Sequence, residues 1–165
     1  MGNDGLGKEA EKKIQEWLDR PEDGYSFDRI PDQMTGFYGS KNICDFTCFK
    51  SPFMYYIESK STYNSRFDFS MIQQHQFDCL MKKSKIVGCY AFVIVLFASH
   101  KRTFVLDINT IQDIMNSGKK SINIDRIDKW EFPFCEISTI PNNRKKHLDY
   151  TGEIEEYIPV KRWLV

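Results

Sequence analysis

The stretch IVGCYAFVIVLFA, from Ile86 to Ala98, is the longest apolar run in the chain. Its 13 residues fall short of the roughly 20 that a membrane-crossing helix needs. Within it, CYAFVIVLF is apolar at both sets of alternating positions, so it reads as a strand covered on both sides at the centre of a sheet. A chain of 165 residues can cover such a strand, since chains of this size bury about 70% of their unfolded surface. The expectation is a single domain over 1–165. No basic, apolar and cleavable segment opens the chain, and Leu6 stands where a myristoylation signal needs Ser or Thr, so the expected location is the cytoplasm.

The flanking elements follow from periodicity and punctuation. Leu6, Ala10, Ile14, Trp17 and Leu18 share one face of a first helix that Asn3 or Asp4 can cap, and RPEDG at 20–24 ends it. YSFDRI, NICDFTCF and FMYYIESK read as strands, the last two joined at Lys50-Ser51-Pro52. A polar, glycine-containing connection from Pro31 to Lys41 separates the first from the second. Ser70 and Gln73 have capping-box spacing and predict a helix with Ile72, Gln76, Cys79 and Lys83 along one stripe. TFVLDI follows the central strand, and Asn109 is placed to cap a short helix that ends before Gly118. The order helix, three strands, helix, two strands, helix predicts an α/β sandwich on a mixed sheet. The last forty residues, with Pro133, Pro141 and Pro159, yield no clear element.

Composition narrows the chemistry. The 23 basic and 23 acidic residues cancel, so no global field draws the chain to nucleic acid. The halves differ, with 8 basic and 11 acidic residues in 1–60 and 15 and 12 in 61–165. The basic clusters are KKSK at 82–85, Lys101-Arg102, Lys119-Lys120 and RKK at 144–146, and such clusters are ordinarily solvated surface. Cysteines 44, 48, 79, 89 and 135 make neither a disulfide framework nor a zinc set, and read as reduced thiols. SGKKS at 117–121 fails as a phosphate loop, because Asp113 replaces the first glycine and Lys120 the Ser or Thr. No G-x-S-x-G or H-E-x-x-H occurs, which leaves serine hydrolases and zinc proteases without support.

In YYIESKST, residues 55–62, a strand-like stretch carries two charges two positions apart. Strand side chains alternate, so Glu58 and Lys60 share the face of Tyr56. A two- or four-residue loop centred between Ser51 and Pro52 gives opposed positions a constant sum of 103, which sets Asp45 across from Glu58 and Ile43 across from Lys60. A three-residue loop with a bulge would shift that register. Two opposed carboxylates, with Cβ atoms about 5 Å apart, repel, and folding alone gives no reason to place them so. A divalent cation does, because Mg²⁺ takes one or two carboxylates together with water and phosphate oxygens. The plain alternative is a Glu58–Lys60 surface ion pair, worth about 0–1 kcal/mol.

Asp45, twelve residues, then Glu58-Ser59-Lys60 resembles the D-x(n)-[DE]-x-K signature of the PD-(D/E)xK nucleases, whose restriction-endonuclease-like core is a mixed sheet flanked by helices. GKEAE at 7–11, RIPDQ, NICDF, IESKST and HQFDCL together resemble the RecU-like Holliday junction resolvases, also called penicillin-binding-protein-related factor A, especially their phage versions. The resemblance covers roughly residues 5–115. It implies an endonuclease dependent on Mg²⁺ or Mn²⁺ that resolves four-way DNA junctions by paired nicks, as a homodimer without membrane attachment. It also implies catalytic Asp45, Glu58 and Lys60, a supporting Gln76, and Glu11 as a further acid at the metal. In that chemistry the carboxylates hold a metal that polarises the scissile phosphate, and the lysine orients water or offsets developing charge. One departure is that bacterial RecU proteins carry a long stalk before the catalytic aspartate, for which residues 31–44 leave little room.

Several residues keep two readings. Glu11 sits among Lys8, Lys12 and Lys13, where charge pairing along a helix also explains it. His75 fits a capping turn or packed position as well as a functional one. Arg29 and Asp32 contact DNA or fix a loop, Lys82, Lys83 and Lys85 are candidate phosphate contacts, and Phe37 and Tyr38 are placed to stack on unpaired bases. The alternative functions are a restriction- or repair-type nuclease acting on duplex DNA, and a non-cutting DNA-binding relative.

Overall fold

The structure, a computed structural model, describes residues 3–19, 21–31 and 42–137. Helix α1 (Asn3–Leu18) buries Leu6, Ala10, Ile14 and Leu18, the stripe its spacing predicts. A 3-10 turn at Pro21–Asp23 and Gly24, whose φ of 80° suits a residue without Cβ, lead the chain into β1 (Ser26–Arg29). Strands β2 (Phe46–Lys50) and β3 (Phe53–Thr62) form a hairpin about Ser51-Pro52. Then come β4 (Arg66–Asp68), α2 (Gln74–Lys83), β5 (Cys89–Phe97), β6 (Arg102–Asp107), α3 (Ile108–Asn116), β7 (Ser121–Asn123) and β8 (Cys135–Ile137).

The six-stranded main sheet has the order β1-β2-β3-β5-β6-β8. Only the β3–β5 pairing in it is parallel, so the sheet is mixed, as the sequence predicts. Every residue of β5 except Cys89 is buried, because helices cover both faces of the sheet. On one face Ile14 and Leu18 of α1 pack with Phe46, Tyr55, Ile57, Phe92 and Ile94. On the other, Phe77 and Leu80 of α2 and Ile111 and Ile114 of α3 pack with Ala91, Val93, Val95, Phe104 and Leu106. Burying a side chain such as Leu80 contributes about 1.5–3 kcal/mol. Alternation along β3 sends Tyr55 and Ile57 toward α1, and therefore Glu58 and Lys60 toward α2.

Three local expectations change. Helix α2 does not open on Ser70, which lies in a 3-10 turn that buries Phe69. Its cap is Gln73, and Gln73 and Gln76 form the reciprocal capping box, with Gln76 Oε1 accepting from the Gln73 N–H at 3.4 Å. The buried residues of this helix are Gln76, Phe77 and Leu80, with Cys79 and Lys83 of the expected stripe half-buried. Asp107, not Asn109, caps α3, its carboxylate accepting from the Asn109 N–H at 2.7 Å. The antiparallel pair β4–β7 forms a second sheet that no pattern in the sequence announces, each strand being three residues long. No helix among the described residues is long and apolar enough to cross a membrane. Asp32, Phe37, Tyr38 and the basic cluster at 144–146 lie outside the described residues.

Candidate active site

The hairpin has the register argued from its turn: Phe46 faces Ile57 and Lys50 faces Phe53. Asp45 stands one residue before β2 and is fixed by main chain on both sides. Its N–H donates to the Ile57 carbonyl at 3.1 Å, and its own carbonyl accepts from Ile30 at 2.8 Å. Its carboxylate accepts from the Ser59 N–H at 2.7 Å, which aims the side chain across the hairpin at β3. The approach to Asp45 is tied down as well. Asn42 Nδ2 donates to the Pro31 carbonyl at 2.7 Å. His75, on the first turn of α2, donates from Nε2 to the Asn42 carbonyl at 3.1 Å, since a carbonyl can only accept.

Glu58 is 1% exposed and sits beside Val93 of β5, which is fully buried. Its Oε1 accepts from Lys60 Nζ, a lysine whose side chain is itself mostly covered. Its Oε2 is buried and has no hydrogen-bond partner among the described residues. Burial pushes the Glu58 carboxyl from the ordinary 4.5 up to about 7, and the negative charge of Asp45 adds to the rise. The Lys60 ammonium and the Gln76 amide draw it part of the way back. Cys44 lies under the same acids, and burial holds its thiol at about 12. Its Sγ donates to the Phe46 carbonyl at 3.2 Å, so it is a packed thiol and not a nucleophile.

A buried carboxylate oxygen without a donor, next to a second carboxylate, is unfavourable unless a cation or a proton joins them. Asp45 and Glu58 therefore fit a divalent ion of the Mg²⁺ or Mn²⁺ kind, which needs only one or two protein carboxylates. No group of three or more His, Cys, Asp or Glu side chains arranged to hold a metal occurs among the described residues. Glu11 accepts from Arg29, with Nη2 at 2.7 Å and Nε at 3.3 Å from Oε2. Two residues that the sequence leaves separate are thus joined in an ion pair between α1 and β1. Lys82, Lys83 and Lys85 gather at the end of α2, where Lys83 Nζ lies 5.0 Å over the Tyr56 ring. Sequence alone gave no sign of Asn42 or the Ser59 amide, because their partners are main-chain atoms or a distant carboxylate.

The model of the RecU family, Recombination protein U, matches residues 26–156. The chain belongs to the RecU family. RecU is a Holliday junction resolvase family, so this RecU chain is an endonuclease of DNA recombination. The comparison with curated proteins finds no match. Among solved structures, Hjc of Archaeoglobus fulgidus, described as a Holliday junction resolvase from an archaeal hyperthermophile, is similar with a TM-score of 0.45 and 14% identity. That similarity covers 63% of this chain and 78% of Hjc.

Proposed function

We propose that this RecU chain cuts four-way DNA junctions by metal-assisted phosphodiester hydrolysis at Asp45, Glu58 and Lys60. The observation that carries this is Glu58: buried beside a second acid, with Oε1 on Lys60 and no hydrogen-bond partner for Oε2 among the described residues. Asp45 and Glu58 would hold Mg²⁺ or Mn²⁺, which when bound would polarise a phosphate oxygen and make a water more acidic. The Ser59 N–H keeps the Asp45 carboxylate in place, and the Gln76 amide steadies Glu58 from α2. Lys60, held by Glu58, offsets negative charge that grows on the phosphate as the bond breaks. Glu11 is a further acid toward the metal, positioned by its pair with Arg29, while Arg29, Lys82, Lys83 and Lys85 contact the DNA.

Resolution needs two nicks related by two-fold symmetry, which a homodimer with two identical sites provides. Light scattering should give about twice the 19.5 kDa of one chain. The setting is the cytoplasm of a bacterial or phage-infected cell, where junctions arise. The direct test incubates the protein with a synthetic four-way junction and a matched linear duplex, with and without Mg²⁺. The junction should be cut only with metal, and Glu58→Gln and Lys60→Ala should each lose at least about 10²-fold in rate. Cutting at the wild-type rate by either variant would sink the site, and a strict monomer on junction DNA would sink the paired-nick mechanism.

A further inference from the structure

Four cations from three separate parts of the chain line one groove whose lining includes none of Asp45, Glu58, Lys60 or Gln76. Arg66 comes from β4, Lys119 follows the turn at Gly118, and Arg126 and Lys129 belong to the 3-10 segment Ile124–Lys129. Trp130 and Phe132 complete the wall of a cavity of about 700 Å³.

The small second sheet builds this groove. Phe67 and Ile122 pair across β4 and β7 and are buried beneath it, which turns Arg66 outward opposite Asn123. Arg66 Nε donates to Ser121 Oγ at 2.9 Å, fixing the arginine stem across the two strands. Trp130 is held from behind: Nε1 donates to the Asn123 carbonyl at 3.0 Å, and its ring packs on Phe104 and Phe134. Phe132 stacks on Trp130 with centroids 5.0 Å apart. The aromatic residues have a packing role, but the lysines and Arg126 do not. Lys119, Arg126 and Lys129 are exposed, and no ion pair engages them among the described residues. Neighbouring acids offer little compensation. Asp125 is turned to His100 at 3.0 Å, Asp68 meets Arg66 at 3.5 Å in an exposed pair, and Asp128 and Glu131 do not line the groove.

Like charges gathered in one concavity without an acid among them favour a polyanion. Cations interleaved with aromatic rings are the chemistry that holds single-stranded nucleic acid, with phosphates on the cations and bases on the rings. We infer that this groove is a second nucleic-acid contact. It seats an unpaired stretch of DNA, its phosphates against Arg66, Lys119, Arg126 and Lys129, and a base against the Trp130–Phe132 wall. It deepens the junction-cutting role proposed above and rests on it for the DNA substrate, the unpaired stretch lying beside the paired arms of the junction.

The test uses the full chain in EDTA, so that nothing is cut. A fluorescein-labelled oligo(dT) of about 20 nucleotides, several times the shortest site of such a groove, and a four-way junction are titrated across a range of salt. Wild type should bind both. The variant Lys119→Gln/Arg126→Gln/Lys129→Gln should bind oligo(dT) at least about tenfold more weakly, and its log–log salt slope should fall by about 2 for three lost single-strand phosphate contacts. Phe132→Leu should weaken oligo(dT) several-fold at an unchanged slope, a split that charge alone does not produce. An equal loss of charge on α1, Lys8→Gln/Lys12→Gln/Lys13→Gln, should change neither. A wild type that ignores oligo(dT), a groove variant with unchanged affinity and slope, or an equal loss in the α1 variant overturns the inference. Junction cutting by wild type in Mg²⁺, measured alongside, tests the catalytic proposal separately. An uncut junction with intact groove-dependent oligo(dT) binding would reject that proposal and leave the groove standing.

Discussion

Replacing Glu58 by glutamine keeps the shape of the side chain and removes one buried charge. With its carboxyl raised from 4.5 to about 7, Glu58 binds its proton more tightly in the folded chain than in the unfolded one. Its contribution to stability is therefore fully present below pH 4.5 and is lost as pH rises through 7. A rise of this size corresponds to about 3 kcal/mol, and the attraction of Lys60 is already included in it. Glutamine mimics the protonated acid, so in EDTA the variant and wild type should have similar stability near pH 4.5. Above pH 8 the variant should be more stable by about 3 kcal/mol, or roughly 6–12 °C in melting temperature for a chain of this length. Thermal melts of both proteins by circular dichroism between pH 4.5 and 8.5 read the difference directly. Mn²⁺ at about 100 times its dissociation constant should then raise wild type by about 2.7 kcal/mol and the variant by much less. A difference that stays flat with pH, or a variant destabilised at pH 8.5, would refute the buried-carboxylate account. The second outcome is what a simple Glu58–Lys60 ion pair predicts.

Asp45→Asn keeps an oxygen for the Ser59 N–H, so it should fold, lose cutting by at least about 10²-fold, and lower the Glu58 titration midpoint in a carbon-detected NMR titration. Lys82→Gln/Lys83→Gln/Lys85→Gln should flatten the salt dependence of duplex-arm binding by about 2–3 in log–log slope, and an unchanged slope would mark the cluster as a solvated helix end. His75→Ala should cost about 1 kcal/mol in urea unfolding, the usual net worth of a hydrogen bond, while slowing junction cutting by loosening the approach to Asp45. Leu80→Ala, at a fully buried position, should cost about 2–5 kcal/mol by the same measurement.

The hairpin and the approach of Asp45 to Glu58 were legible because three short-range facts fix them: a two-residue turn, alternation of faces, and a strand whose charged residues are Glu58 and Lys60. The central strand was legible for the same reason, since CYAFVIVLF has only one way to be dry on both faces. The start of α2 was ambiguous in the sequence, because Ser70–Gln73 and Gln73–Gln76 both have capping spacing and only the packing of Phe77 and Leu80 against the sheet selects the second. Asp107 and Asn109 compete for the α3 cap in the same way. The β4–β7 sheet and the groove above it were illegible for a different reason. Their partners lie more than fifty positions apart, as Arg66 and Ser121 do, and strands of three residues carry too little periodicity to detect. Glu11 and Arg29 each had a recognisable chemistry, but nothing in the sequence says that they meet.

Helix α2 touches the site at two points through adjacent residues. Gln76 reaches the Glu58 carboxyl, and His75 holds the Asn42 carbonyl three residues ahead of Asp45. One acid belongs to a central strand and the other to a connection at its border, so ten residues of helix act as the gauge that sets their separation. For anyone redesigning substrate choice, this makes α2 and residues 42–45 a single exchangeable cassette. Grafting a new loop ahead of Asp45 while keeping the old helix, or the reverse, would leave the gauge reading against a foreign reference, and the graft should recover only when both pieces travel together.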